Sequence, residues 1–185
     1  MELTKEYLKS IHESLLERID DMQDIILGEN IDDEKLNKYA KISSYFFISA
    51  AIEHLTDFIV QYKYGNDHFC LSFIHNRTKY TGSFLEYDLV SKLLSDYDYD
   101  SISTNDFTAT FYPVCKKQIS QYIARAGIKT LFEQETFKDI YKAVKDERNR
   151  IAHEFTWTNN NFTAGMLVKF LKTYYVLYKY ALTKV

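Results

Sequence analysis

A mainly helical bundle is the fold class that this sequence predicts, and three observations carry it. Apolar residues recur at helical spacing over long stretches, so several segments read as one-sided or almost wholly apolar helices. One proline and five glycines in 185 residues leave little room for linkers or for the many tight turns of an all-β chain. Gly28 and Gly127 stand where two of the helical patterns stop, as C-terminal caps do. The length suffices for one sizeable core, so a single domain over 1–185 is expected.

The elements follow in order. Helices are predicted near 3–27, 33–63, 84–95, 114–126, 136–155 and 163–183. The second is long and apolar enough to serve as the spine of the bundle. Between Ile42 and Leu55 its apolar residues fall all round except along Ser49, Glu53, Thr56 and Asp57. Glu53 is therefore expected to be partly buried, and a buried carboxylate needs a partner. Either it makes a structural ion pair or hydrogen bond, or it orients Arg148 from an adjoining helix; His54 reads as an ordinary amphipathic histidine. Between Asp67 and Gly82, and again over Asp106–Phe111, β-branched and aromatic residues alternate with polar ones. That pattern leaves room for a small β-hairpin insertion between about 67 and 112. Tyr97-Asp98-Tyr99-Asp100 breaks the helical pattern and reads as an exposed acidic loop. The last helix carries Phe170, Tyr174, Tyr175, Tyr178 and Tyr180, read mainly as packing residues whose hydroxyls reach solvent at the helix surface.

The fifth helix holds the most informative stretch, Arg148-Asn149-Arg150-Ile151-Ala152-His153. Thr136, with Asp139 three residues on, fits a capping-box-like start. With Ile140 at zero, Ile151, Val144 and Phe155 fall at roughly 20°, 40° and 60°, a narrow stripe for the core, and Arg148 borders it at about 80°. Lys138, Lys142, Lys145, Asn149 and His153 lie between roughly 140° and 220°. One face is thus core, and the other is a lysine track running into a histidine. Solvation is the ordinary explanation of such lysines. On a chain of net charge −3, however, a local basic track also suits a phosphate backbone without attracting nucleic acid indiscriminately.

Those residue types suffice for phosphodiester chemistry without a metal. Histidine titrates near neutrality and can take a proton from a ribose 2′-hydroxyl, which then attacks the adjacent phosphorus. Arginine can clamp the charge gathering on the phosphorane through paired hydrogen bonds. Asn149 would position the phosphate or fix the imidazole tautomer. DNA lacks the nucleophile.

The hexamer resembles the R-x4-6-H motif, with a polar residue after the arginine, of the HEPN superfamily of small α-helical proteins. The likeness extends to a glutamate in an apolar run on a long preceding helix and to a closing helix after a short loop. It does not cover about 64–112. It implies an HEPN-like helical bundle and a metal-independent endoribonuclease with Arg148, Asn149 and His153 as site residues. It also implies a homodimer in which two motif helices form one composite site, so that a second histidine supplies the acid. Such proteins serve toxin-antitoxin, phage-defence and abortive-infection systems, so RNA and an antitoxin or defence partner are the partners implied. One departure concerns silencing: where toxins paired with nucleotidyltransferase antitoxins carry a modifiable tyrosine two residues after the histidine, this chain has Phe155.

The remaining features narrow the classes. No apolar run reaches the length of a membrane span, and the first residues lack a secretory pattern, so a soluble cytoplasmic protein is expected. Cys70 and Cys115 form no metal-ligand spacing with each other or with the five histidines; two free thiols and no cofactor are expected. Of the 16 tyrosines and 13 phenylalanines, a few could stack on RNA bases. Trp157 and Asn159–Asn161, just past the motif, are better placed to meet substrate. Two other classes stay open: a non-catalytic HEPN-like module binding a nucleotide or protein, and an antitoxin or immunity protein gripping a nuclease through its tyrosine-rich helix.

Overall fold

A computed structural model describes residues 4–27, 34–64, 102–126 and 163–185, together with Ile140, Lys142, Ala143, Val144, Asp146, Glu147, Asn149 and Arg150. These residues form a helical bundle: α1 (Lys5–Leu27), α2 (Glu34–Tyr64), α3 (Thr104–Ala126) and α4 (Ala164–Leu182). The motif segment is helical at its described positions between 140 and 150, and no strand occurs among the described residues. α1 and α2 pack along each other, and α4 lies against α2, α3 and α1. The expected helix at 84–95, the alternating stretch at 67–82 and the acidic loop at 97–100 lie outside the described residues.

Local chemistry accounts for the helix ends. The Thr4 hydroxyl accepts the Tyr7 amide at 3.2 Å and caps α1; α1 ends at Leu27, one residue before Gly28. Ser103 begins α3, its hydroxyl accepting the Asn105 amide at 3.1 Å and its carbonyl the Phe107 amide at 3.1 Å. Thr163 caps α4, its side chain accepting the Met166 amide at 3.1 Å. Each hydroxyl occupies a first-turn amide that the helix itself leaves unpaired.

α3 corrects the reading of Asp106–Phe111 as a strand. Phe107, Phe111, Cys115 and Ile119 are each fully buried, and their spacing of four is a helix stripe. Two aromatics four apart satisfy a period of two as well as one of 3.6, and the intervening Ala109 decides between them by being exposed. The helix also begins ten residues before the expected 114, running through Pro113 instead of starting after it. A proline ring there crowds the carbonyl of Ala109 and offers no amide. The backbone answers with a kink at Cys115 (φ −130°, ψ 32°).

The spine of the bundle is α4, not α2. From Phe170 to Tyr178 every residue of α4 is buried, a run longer than two turns that therefore faces core on all sides. α2 instead keeps one side in solvent, with Tyr39, Phe46, Ala50, Glu53 and Asp57 exposed. The polar strip expected on α2 is split: Ser49 and Thr56 are buried, and the Thr56 hydroxyl donates to the Ile52 carbonyl at 2.9 Å. Small hydroxyl side chains can bury themselves by bonding back to the preceding turn, whereas carboxylates cannot.

Burying α4 also buries its tyrosines: Tyr174, Tyr175, Tyr178 and Tyr180 are all in the core, the packing role expected of them, and the Tyr174 hydroxyl is drawn inside instead of reaching the surface. Their polar ends need partners. The Tyr174 hydroxyl meets His12 Nδ1 of α1 at 2.8 Å. The imidazole stacks on Tyr178 at 4.4 Å between ring centroids and meets the edge of Phe111 from α3 at 6.3 Å. The Tyr175 hydroxyl lies 3.4 Å from Thr110 Oγ1, and Tyr45 of α2 sets its edge on Phe170 at 4.8 Å. One histidine thus ties three helices together.

Burial holds His12 below histidine's ordinary 6.5; Lys179 adds to the depression and Glu13 opposes it. The unfolded chain accordingly takes up the proton more readily than the fold. The contribution of His12 is fully present above about pH 6.5 and is lost as pH falls from there toward its lower folded value. Denaturant titrations at pH 7.5 and pH 5.5 are expected to show this loss, and His12→Phe is expected to reduce it. At pH 7.5, Tyr174→Phe is expected to cost about 1 kcal/mol through the lost hydrogen bond.

Candidate functional site

The motif segment keeps the register read from its sequence. Ile140 and Val144 are 3% exposed, whereas Lys142 and Asp146 are exposed. The core side and the solvent side therefore stand where the spacing put them. Ile151 and Phe155, the rest of the apolar stripe, lie outside the described residues.

A phenol on α2 locates the segment in the bundle. The Tyr45 hydroxyl donates to the Thr163 carbonyl at 3.0 Å, tying α2 to the residue that caps α4. Its titration is pushed up mainly by burial and further by the negative charge of Glu147. The motif segment thus presents a carboxylate toward the junction of α2 with the start of α4. The same Glu147 accepts from Arg150 Nε at 3.1 Å and forms a second, very short contact with Arg150 Nη2. Two parallel bonds between a planar fork and a carboxylate fix the orientation of Arg150.

This pairing separates the two arginines of the motif. Arg150 is committed to Glu147 and acts as a brace within the helix. Arg148, Lys138, Lys145 and His153 lie outside the described residues, as do Trp157 and Asn159–Asn161. Of the expected site residues, the structure describes Asn149, Lys142 and Glu53. Asn149 is half-buried on the motif segment and Lys142 is exposed.

Glu53 departs from the expectation of partial burial, since it is exposed on α2. Its neighbours in the sequence are apolar, but the face it occupies also carries Phe46 and Ala50 in solvent. An exposed carboxylate carries little desolvation penalty, so burial alone does not require a cation beside it; its relation to Arg148 lies outside the described residues. His54, next to it, is exposed as expected of an amphipathic position.

Glu147 and Tyr45 are the site neighbours that the sequence reading missed. Glu147 and Arg150 stand three apart in Glu-Arg-Asn-Arg, a spacing that brings side chains together on a helix; that signal was available. Tyr45 carried no comparable signal, because its partner Thr163 is 118 residues away. Among the described residues, no group of three metal-ligating side chains converges and no helix is long and apolar enough to cross a membrane. Comparison with family models, with curated proteins and with solved structures yields no match to the chain.

Two substitutions test the seat of the motif segment. Tyr45→Phe leaves one acceptor at the start of α4 without its phenol and is expected to cost about 1 kcal/mol in urea denaturation. Glu147→Gln removes one charge of a part-buried ion pair but leaves an acceptor for Arg150, and is expected to cost about 0.5 kcal/mol. A larger loss from Glu147→Gln than from Tyr45→Phe would reverse the assignment of anchor and brace.

Proposed function

We propose that the chain is a metal-independent endoribonuclease of the toxin-antitoxin or phage-defence kind, working as a homodimer with a composite site. The observation that supports this most is Arg148-Asn149-Arg150-Ile151-Ala152-His153, on a segment whose described positions keep a helical register with core on one side and Lys142 on the other. His153 is the general base on the ribose 2′-hydroxyl, and its counterpart from the second subunit protonates the leaving 5′-oxygen. Arg148 takes the charge on the phosphorane, and Arg150 is engaged with Glu147. Asn149 positions the phosphate or the imidazole. Lys138, Lys142 and Lys145 hold flanking phosphates.

Two alternatives differ in what supports them. An immunity protein gripping a nuclease through its tyrosine-rich last helix has little surface for the purpose, because the tyrosines of α4 are buried. A non-catalytic module would keep the fold and bind RNA or nucleotide without cutting it, which the assay below separates.

With EDTA present, the purified chain is expected to cleave single-stranded or loop RNA to products ending in a 2′,3′-cyclic phosphate and to leave DNA intact. Arg148→Ala and His153→Ala are each expected to lower the rate by about a hundredfold or more at unchanged folding. Mixing His153→Ala chains with wild type is expected to reduce activity per wild-type subunit. DNA cut as fast as RNA, or full activity in His153→Ala, would remove the mechanism.

The lysine track is tested by binding. Charge removal at Lys138, Lys142 and Lys145 together is expected to weaken RNA affinity and flatten its salt dependence by roughly one log unit per lost contact, with the single-turnover rate at saturating RNA nearly unchanged. Unchanged affinity would return that face to plain solvated surface.

A further inference from the structure

A cavity lies between α1 and α2, away from the motif segment. Its volume is about 420 Å³, within the range of small-molecule sites. The α2 residues that line it, Phe47, Ala50, Ala51 and His54, sit roughly 140–240° round that helix from Tyr45, which faces the motif segment. It opens because small side chains meet across the seam, Ser10 and Ser14 on α1 and the two alanines on α2. Buried Leu15 and Ala51 supply apolar floor.

Among the described residues, the polar side chains round this floor all offer hydrogen-bond donors. Arg18 is exposed, and its guanidinium lies over the Phe47 ring at 5.3 Å from the centroid. It rests on a ring although α1 carries Glu17, Asp20, Asp21 and Asp24 nearby. A guanidinium resting against an aromatic ring still has N–H groups to offer an anion. Ser14, one turn before Arg18, and His54, from across the seam, line the same cavity; both offer hydrogen-bond donors. Ser10 is otherwise engaged, donating to the Tyr7 carbonyl at 2.8 Å. Among the described residues, no carboxylate lines the cavity.

We propose that this cavity binds a small phosphate monoester bearing a flat ring. Arg18, Ser14 and His54 hold the phosphate, and Leu15, Ala51 and the edge of Phe47 receive the ring. Donors arriving from two helices suit a group with three equivalent oxygens better than a two-oxygen carboxylate. An apolar floor beside them contributes nothing to a bare ion and favours a ring. The proposal stands apart from RNA cleavage, since it uses none of the motif residues.

Isothermal titration of the full chain with phenyl phosphate tests it, with inorganic phosphate, phenol and benzoate as separate arms. Saturable binding at one site per chain is expected, each of the other three binding at least about tenfold more weakly. Arg18→Met, which keeps the stem on Phe47, and Ala50→Trp, which blocks the mouth, are each expected to weaken phenyl phosphate by at least about tenfold. Both positions are exposed, so an unchanged urea midpoint verifies that the variants fold. RNA cleavage by Arg18→Met is expected to match the parent. Absence of saturable binding, equal affinity for inorganic phosphate or for benzoate, or unchanged affinity in both variants would overturn the proposal.

Discussion

The hydrogen bond between His12 and Tyr174 is the interaction on which the rest of the bundle depends. A tyrosine-rich helix can occupy the middle of a bundle only if its hydroxyls find partners there, because an unmet buried hydroxyl costs as much as a good packing contact contributes. His12 meets the hydroxyl of Tyr174 and lays its ring on Tyr178. It also brings α1 to the aromatic edge that α3 presents through Phe111. With α4 committed to the centre, α2 is left to form a wall with one wet face, and α3 must present its stripe of Phe107, Phe111, Cys115 and Ile119 inward.

That division of roles explains what the sequence made legible. α1, α2 and α4 were readable to within a residue or two at their ends, because caps, glycines and spacing are local signals. The order of burial was not. α2 and α4 are both rich in apolar residues, and hydrophobicity alone favours the longer one as the centre; which is central depends on partners such as His12, 162 residues from Tyr174. α3 was misread at its start because Phe107 and Phe111 satisfy two periods at once and Pro113 is a stronger stop signal in sequence than in a helix able to kink around it.

The candidate site divides along the same line. The inward position of Ile140 and Val144 and the outward position of Lys142 were legible from spacing, since a helix's own geometry sets them. The exposure of Glu53 was not, because apolar neighbours in sequence say nothing about which face a bundle leaves uncovered. The pairing of Arg150 with Glu147 matters most for chemistry. It accounts for the arginine that the R-x4-6-H spacing leaves out, since Arg150 stands only three residues from His153.

The kink in α3 has a bearing on how the protein can be observed in solution. Cys115, the residue whose torsions absorb the proline, is a free thiol with no exposed surface, and burial raises its pKa to about 12. A thiol so placed does not react until α3 lifts from its neighbours. Its rate of alkylation, read on its own peptide and so apart from Cys70, is therefore a clock for the opening of the bundle at the point where that helix is already bent.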